Sequence, residues 1–237
     1  MPHLNPPSVS DFSSARQILA ATRHFSNLPA EVAEALARQM IPRAYSAGQV
    51  ICLEGEPGEY IWFVEKGWIK GVRTATDGRE QAALFLRDGE IFGDEAVFGG
   101  AAYPVTVIAL EDVTTWALPG AALRELVNRH PALARACLEH LSARVLYYVQ
   151  LVEDLGLRSV QARMAHTLLN YAELRDGQLI VPRRQWTTLD EMATRLGTVR
   201  DVLSRALKTL ELDGILRLER NQIVVLDPKK LLERGKV

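Results

Sequence analysis

The sequence predicts an α+β protein in which a β-rich half is followed by a helix-rich half. Three observations lead to this fold class. Short apolar runs separated by glycine-containing turns fill residues 43–119, a helical pattern fills residues 120–176, and two capped helices with a hairpin follow in residues 177–237. Many short strands at regular spacing are typical of a small barrel or jelly roll. We therefore expect such a domain, a long helix and a small C-terminal domain.

Residues 43–119 alternate between apolar runs and turn signals. The Asp-Gly pairs at 77–78 and 88–89 supply the positive φ that tight hairpins need. Ahead of this region, Ala30–Met40 has a helical pattern that stops before Pro42. The predicted strands are Gln49–Leu53, Tyr60–Val64, Trp68–Arg73, Gln81–Leu86, Val105–Leu110 and Thr114–Leu118.

A heptad-like series of apolar residues marks the helical region. Its members recur at a 3-4-3-4-3 spacing, as in a coiled-coil seam, until Gly156. The series fits either a homodimer interface or a helix that packs on its own domain. Ser159 is placed to cap a following helix from Val160 to Leu174. The series consists of Leu138, Leu141, Val145, Tyr148, Val152 and Leu155.

Two short helical patterns near the C-terminus form a helix-turn-helix. Residues 188–191 have the spacing of a capping box, and Gly197 supplies the left-handed residue that a sharp turn requires. Thr198 is placed to cap the second helix. Two alternating strands, Ile215–Leu218 and Gln222–Leu226, follow as a hairpin, or wing, beside the helices. The apolar face of the second helix contains Val202, Leu203, Ala206, Leu207 and Leu210.

The other face of the second helix has the chemistry of a DNA reader. Arg200 and Arg205 each offer a paired donor to guanine, and Thr198 and Ser204 offer hydroxyls to phosphates. Asp201 either accepts from cytosine or caps its own helix. On an isolated helix such arginines are often only solvated or paired with a carboxylate, but the wing favours the DNA interpretation. The predicted DNA-binding residues are Thr198, Arg200, Asp201, Ser204, Arg205 and Lys208.

Charge and composition agree with this interpretation. From Arg158 onward there are 15 Lys and Arg residues against 10 Asp and Glu, whereas the preceding residues carry 13 against 19. A basic C-terminal region is expected of a module that binds a polyanion, although solvated surfaces vary enough to produce it by chance. No apolar run is long enough to span a bilayer, and residues 1–10 lack the pattern of a signal peptide. We expect a cytoplasmic protein with no membrane partner, in which Cys52 and Cys137 are reduced.

The segment Leu196–Lys208 resembles the recognition helix of the cyclic-AMP-receptor/fumarate-nitrate-regulator (CRP/FNR) superfamily of bacterial transcription regulators. It reads Leu-Gly-Thr-Val-Arg-Asp-Val-Leu-Ser-Arg-Ala-Leu-Lys. The segment Leu210–Leu216 is also similar to this superfamily, as are the stretches at 48–56, 64–67 and 89–94. The resemblance therefore covers nearly the whole chain.

The resemblance implies three domains. They are a β-roll sensor (a double-stranded β-helix like that of cyclic-nucleotide-binding domains) in residues 1–128, a dimerisation helix in 129–157 and a winged helix-turn-helix in 158–237. It also implies a homodimer on double-stranded DNA with an inverted-repeat operator, and contact with RNA polymerase if the protein is an activator. Asp201 stands where the superfamily usually has the longer Glu, which leaves base reading by this carboxylate open.

The superfamily's cyclic-AMP cassette is altered at three places. Asp94 occupies the position of the Glu that holds the ribose, and residues 103–105 replace the Arg-Ser/Thr-Ala that neutralises the phosphate. Residues 148–149 replace the Thr-Ser pair that contacts adenine. A buried phosphate without a cation is costly, so we expect an effector other than cyclic AMP, or none. The corresponding pocket residues are Gly93, Asp94, Glu95, Tyr103, Pro104 and Tyr148.

Other cofactors and functions are judged by the residues they need. A four-cysteine iron–sulfur cluster is excluded because no cysteine precedes Cys52. Haem stays an open alternative, as in a gas- or nitrosative-stress-sensing regulator of this superfamily. A cyclic-nucleotide-type module that acts on another protein is disfavoured by the winged helix-turn-helix. The chain has no nucleophile motif, phosphate loop or paired-histidine motif, so we predict no enzyme, no catalytic residue and no metal site. The candidate haem ligands are His3, His24, His130, His140 and His166.

Overall fold

The computed structural model describes residues 9–78, 80–184 and 187–236. One candidate haem ligand, His3, lies outside these ranges. Within them, helices and strands are mixed as the sequence predicts. None of the helices in these ranges combines the length and the apolar character needed to cross a bilayer.

The chain divides into two compact units, which are described separately. The first contains residues 1–73 and 83–146, and the second contains residues 74–82 and 147–237. The long helix predicted for dimerisation begins in the first unit and ends in the second. The three-domain division implied by the family resemblance stays a prediction.

Antiparallel strands form a jelly-roll-like core that lies mainly in the first unit. They are β1 Ile41–Tyr45, β2 Val50–Cys52, β3 Tyr60–Lys66, β4 Ile69–Thr74, β5 Glu80–Leu86, β6 Ile91–Phe92, β7 Thr106–Ala109 and β8 Val113–Pro119. Residue 74 of β4 and residues 80–82 of β5 belong to the second unit. The two sheets have the strand orders β1-β8-β3-β6 and β2-β7-β4-β5. Strands far apart in sequence are thus neighbours, which is the pattern of a rolled double sheet.

Strand β1 is absent from the sequence prediction, which places Pro42 just beyond a helix. Proline fits in this strand because β1 lies at the edge of its sheet and pairs only with β8. An edge strand tolerates a residue that has no N–H to donate. The preceding helix is correspondingly shorter than predicted and ends at Ala37.

The helices of the first unit share an apolar core with some of these strands. They are α1 Val9–Ala21, α2 Ala30–Ala37, α3 Asp94–Gly99 and α4 Gly120–Arg129, and the long helix α5 Pro131–Leu157 begins in this unit. One apolar core, which includes Phe25, Phe63 and Leu118, lies between helices and strands. A second core, which includes Trp62 and Phe92, lies between the sheets.

The second unit is built around a small sheet and helices. Its elements after α5 are α6 Val160–Tyr171, β9 Glu173–Arg175, β10 Gln178–Pro182, α7 Leu189–Leu196, α8 Arg200–Leu212, β11 Leu216–Leu218, β12 Gln222–Val225 and α9 Pro228–Arg234. The strand order is β11-β12-β10-β9. Ser159 caps α6 as predicted, because its hydroxyl accepts from the Ala162 N–H at 3.1 Å. The predicted helix-turn-helix and wing are therefore present as α7, α8, β11 and β12.

Candidate nucleic-acid interface and sensor cassette

The turn between α7 and α8 has the predicted geometry. Thr188 caps α7, and its hydroxyl accepts from the Glu191 N–H at 3.2 Å. Gly197 ends α7 with φ +61°, a left-handed conformation that a residue without Cβ adopts at low cost. A Cβ at this position would lie 2.5 Å from Gln81 Oε1 and 2.7 Å from Leu155 Cδ2. Both conformation and space therefore favour glycine at the turn.

Helix α8 begins one residue later than a cap at Thr198 would allow. The Thr198 N–H closes the preceding turn by donating to the Ala193 carbonyl at 3.0 Å. The N-cap position falls on Val199, which has no side-chain acceptor, and its carbonyl accepts from the Val202 N–H at 3.1 Å. The prediction that Thr198 caps α8 is therefore wrong.

The polar face predicted for α8 is exposed, and the opposite face is buried. The leucines at positions 203, 207 and 210 of the apolar face lie in the core of the second unit. Thr198, which precedes the helix, is half-buried. The exposed polar side chains are Arg200, Asp201, Ser204, Arg205 and Lys208. A row of hydrogen-bonding groups with net positive charge thus faces outward.

Arg200 is paired with Asp190. Its Nη1 lies 3.1 Å from Asp190 Oδ2, and the two side chains are 61% and 64% exposed. An ion pair so exposed contributes little free energy, so a phosphate or a base can replace the carboxylate. Arg205 remains on its own helix, where Nε donates to the Asp201 carbonyl at 3.3 Å. Both arginines can therefore exchange these contacts for contacts with DNA.

Val199 is a candidate contact residue that sequence reasoning missed. It precedes α8, between Thr198 and Arg200, and it is 51% exposed. An exposed apolar side chain beside two polar contact residues suits the methyl group of a thymine in the major groove. Val199 lies four residues before Leu203, which is the spacing of the buried face of α8, so the sequence alone does not mark it as exposed.

In the sensor cassette, aromatic side chains pack against Gly93. A Cβ on Gly93 would lie 3.2 Å from Tyr103 Cε1 and 3.5 Å from Trp62 Cδ1. The Tyr103 hydroxyl donates to the Tyr60 carbonyl and accepts from the Tyr60 N–H, both at 2.9 Å. Trp62 in turn stacks on Phe92 with a ring-centroid distance of 6.0 Å. The protein's own aromatic residues thus occupy the interior beside Gly93.

A cluster of ionisable side chains lies at the first turn of α3, where Asp94 is buried and Glu95, His140 and Arg144 are partly buried. Asp94 is 2% exposed, and its Oδ2 lies 3.4 Å from His140 Nε2. Glu95 follows Asp94 on α3, and Arg144 donates to the Ile91 carbonyl. His140 and Arg144 share one face of α5 because they are four residues apart. Sequence reasoning named His140 only as a candidate haem ligand and missed Arg144, although the helical spacing of the two residues is a visible signal.

The pKa values of the two carboxyl groups shift in opposite directions. Burial raises the pKa of Glu95, and the charge of Asp94 raises it further. Burial acts to raise the pKa of Asp94 as well, but the contact with His140 and the charge of Arg144 outweigh burial and lower the pKa. Asp94 is therefore the charged member of the pair, and His140 and Arg144 of α5 favour its charged form.

Pro104 and Tyr148 differ from the other predicted pocket residues. Pro104 is exposed, and Tyr148 lies on α5 in the second unit. Two candidate haem ligands, His24 and His140, have ring centroids 5.8 Å apart in an edge-on arrangement. Among the residues that the structure describes, no three His, Cys, Asp or Glu side chains are grouped as metal ligands.

Helix α5 carries an exposed apolar stripe. Leu138, Val145 and Val152 of the predicted seam are 64%, 60% and 70% exposed. Val149, which is not part of the predicted seam, is 60% exposed. The stripe therefore shares three members with the predicted seam, and Val149 is exposed where the prediction places Tyr148. The partly buried members of that seam are Leu141, Tyr148 and Leu155.

Two family models match the two parts of the chain. The model of the cyclic nucleotide-binding domain matches residues 42–130, and that of the Crp-like helix-turn-helix domain matches residues 162–234. The chain belongs to the CRP/FNR superfamily of transcription regulators. This confirms the resemblance read from the recognition-helix motif and the β-roll motifs.

Individual members of the CRP/FNR superfamily agree with the assignment. The CRP-like cAMP-activated global transcriptional regulator of Mycobacterium tuberculosis is 26% identical over 93% of this chain and 99% of its own length. The cyclic AMP receptor protein of Thermus thermophilus is 29% identical over 81% of this chain and 86% of its own length. The structure of FixK2 from Bradyrhizobium japonicum has the same fold, with a TM-score of 0.73 and 22% identity over 84% of this chain and 98% of its own length. These matches confirm the predicted fold class.

Proposed function

We propose that the chain is a homodimeric, sequence-specific transcription regulator that binds an inverted-repeat operator through α8. The observation that carries this proposal is the exposed polar row on α8, which begins directly after the turn at Gly197. In a two-fold dimer the two recognition helices enter successive major grooves, so the half-sites lie about 10–11 base pairs apart. The regulator acts in the cytoplasm, and it contacts RNA polymerase if it is an activator.

Different side chains of α8 have different tasks in this proposal. Arg200 and Arg205 pair with guanines, which suits the TGTGA-like half-sites that the superfamily resemblance implies. Val199 contacts a thymine methyl, and Asp201 accepts from a cytosine amine if its short side chain reaches it. The remaining polar residues bind phosphates and fix the position of the helix. These phosphate-binding residues are Thr198, Ser204 and Lys208.

Binding-site selection from random DNA tests the readout. The wild type is expected to select a two-fold symmetric motif, and Arg205→Ala is expected to lose about 1–3 kcal/mol of discrimination at one base pair of each half-site. Asp201→Ala shows whether its carboxylate reads a base. Arg175→Ala, in the exposed hairpin of β9, serves as the control.

Two results contradict this reading of α8. One is a selected motif without two-fold symmetry. The other is a motif that Arg205→Ala leaves unchanged while all sequences bind more weakly and the salt dependence decreases. That second result identifies Arg205 as a phosphate contact only.

The apolar stripe of α5 supports the homodimer. Its side chains are exposed in the single chain, so a charge placed there does not disturb the monomer but is buried in a dimer. Val145→Asp is therefore a cleaner test than Tyr148→Asp, because Tyr148 is partly buried. An unpaired buried charge costs several kcal/mol, about 3–5 by analogy with broken buried pairs. Sedimentation at micromolar concentration should show a monomer for Val145→Asp and a dimer for Gln150→Asp, which is exposed away from the stripe.

We further propose that the sensor responds to an effector other than cyclic AMP, or to none. Three arginines near the altered cassette have other contacts: Arg144 donates to the Ile91 carbonyl, Arg124 donates to the Val97 carbonyl at 2.8 Å, and the Arg87 guanidinium lies over the Trp68 ring. Calorimetry should therefore show no binding of cyclic AMP, and micromolar binding would overturn the proposal. The absorption spectrum of the purified protein tests the haem alternative directly, because bound haem gives an intense Soret band.

A further inference from the structure

Arg163 lies at the junction between α5 and α6, within the second unit. Its Nη1 donates to the carbonyls of Asp154 and Leu155, both at 3.4 Å, and of Arg158 at 3.0 Å. Its Nη2 donates to the Gly197 carbonyl at 3.4 Å. One guanidinium thus joins the end of the long helix to the turn that precedes the recognition helix.

Local helix preferences do not account for an arginine at this position. Arg163 is close to the start of α6, where the helix dipole disfavours a cation, and burial lowers its pKa. Compensation comes from two other helices. The Leu155 carbonyl lies in the last turn of α5, the Asp154 carbonyl also accepts from the Arg158 N–H at 3.3 Å, and the Gly197 carbonyl lies at the end of α7. Because a guanidinium carries five donors in a fixed plane, one arginine can bond several such carbonyls at defined angles.

A second contact connects the end of α5 to the turn at Gly197. The Leu155 side chain at the end of α5 and the Gln81 side chain fill the space where a Cβ of Gly197 would lie. The turn is therefore held both by packing and by the hydrogen bond from Arg163. Arg200, the first residue of α8, follows this turn closely, so any movement of the turn moves the DNA-reading residues.

We propose that Arg163 is a positioning residue that fixes the two recognition helices relative to the dimer helices and so determines which half-site spacing the protein accepts. The inference rests on the proposed homodimer and its inverted-repeat operator. One added base pair shifts a half-site by about 3.4 Å and rotates it by about 35° around the DNA axis. If hydrogen bonds hold the connection between the end of α5 and the turn at Gly197, the recognition helices cannot adjust to such a change. If the connection is flexible, they can.

The test measures affinity as a function of spacing. The half-site selected by the wild type is placed in inverted repeats whose spacing runs from two base pairs shorter to two longer than the best one, and Kd is measured by fluorescence anisotropy. Arg163→Gln should reduce the preference for the best spacing over its neighbours by about two- to tenfold, the factor that one hydrogen bond provides. Base preference within each half-site should stay as in the wild type.

Two matched variants test whether the change in spacing preference comes from the hydrogen bonds of Arg163. Arg163→Lys keeps the charge but replaces the planar donor set by a single ammonium, so it should flatten the spacing profile in the same direction and to a smaller extent. Arg175→Gln removes an exposed arginine of β9 that pairs with Glu173, and it should retain the wild-type profile. If Arg163→Gln does not fold, the comparison of Arg163→Lys with the wild type decides alone.

The outcomes separate this inference from the function on which it rests. A wild type that selects no inverted repeat refutes the proposed function, and the inference falls with it. A wild type that binds all spacings equally overturns the inference alone. So does a folded Arg163 variant that keeps the wild-type profile, or one that loses the same factor of affinity at every spacing, since the latter indicates a structural role only.

Discussion

Asp94 of the sensor cassette and Arg200 of the recognition helix differ in their exposure to water. Asp94 is 2% exposed and is compensated by His140 and Arg144, whereas Arg200 is 61% exposed and pairs with an equally exposed carboxylate. A buried charge must be compensated inside the fold, but an exposed charge keeps its capacity for a ligand. Polar residues of similar type therefore stabilise the interior in one region and offer a binding surface in the other.

The largest expected loss of stability comes from removing the buried side chain of Trp62 beside the cassette. Trp62 is buried between Phe92 and Gly93, and Trp62→Ala should lower the free energy of unfolding of the first unit by about 3 kcal/mol, the low end for Trp→Ala in a core. The low end applies because the indole N–H is buried without a hydrogen-bond partner among the described residues, and its removal recovers part of the loss. Urea unfolding followed by fluorescence measures this change.

Trp62→Phe is the matched control for this prediction. It keeps a ring against Phe92 and removes only the unpaired N–H and part of the volume, so its loss should be well below that of the alanine variant. A loss below about 1 kcal/mol for Trp62→Ala would contradict the description of the interior as packed and indicate room for a ligand beside Gly93.

An intermediate loss of stability is expected from substitution of Gly197, in the turn that precedes α8. Gly197 and Gly214 have similar left-handed φ values, +61° and +68°, but only Gly197 has neighbours where a Cβ would lie. Gly214→Ala should cost about 1 kcal/mol of backbone strain. Gly197→Ala should cost about 2 kcal/mol, because the ends of two side chains must also move aside.

Thermal unfolding of the second unit compares the two alanine variants. Equal losses would mean that Gln81 and Leu155 do not restrict the turn. That result would also weaken the argument that the end of α5 positions the recognition helix.

Local signals were sufficient to predict much of the second unit. The cap at Thr188, the glycine turn at 197 and the apolar spacing of α8 each act within a few residues, and the structure confirms all three. The misplaced cap at Thr198 has a local cause too. The Thr198 N–H donates to the Ala193 carbonyl and so belongs to the turn. The helix therefore starts one residue later than a cap at Thr198 would require.

The cassette was predicted less completely because its chemistry depends on tertiary contacts. The Asp94 position was recognised from the motif, but His140 and Arg144, which lower its pKa, lie on α5, distant in sequence. Strand β1 was missed for a similar reason. Only its place at the edge of a sheet makes Pro42 acceptable in a strand, and sheet order is not visible in a local pattern.

The smallest expected effect concerns the pH dependence of the buried carboxyl pair. Because burial and Asp94 raise the pKa of Glu95 in the folded protein, the folded state holds this proton more tightly than the unfolded state does. The contribution of Glu95 to stability is then greatest at low pH and decreases as pH rises from the ordinary Glu pKa of about 4.3 through the raised value. Glu95→Gln removes this titration, so the variant should gain stability relative to the wild type as pH rises.

Urea unfolding of both proteins between about pH 4 and about pH 7, a range that begins near the ordinary Glu pKa and extends above it, measures the difference. Glu125→Gln, in an exposed ion pair with Arg129 of the same unit, is the control and should follow the wild type across the range. Asp94 works in the opposite direction, since its lowered pKa gives stability that is present above the ordinary Asp range and is lost only as pH falls through the lowered value. A Glu95→Gln curve parallel to the wild type would mean that Glu95 is as well hydrated as the exposed charges of α8, and the contrast between the two regions would then rest on Asp94 alone.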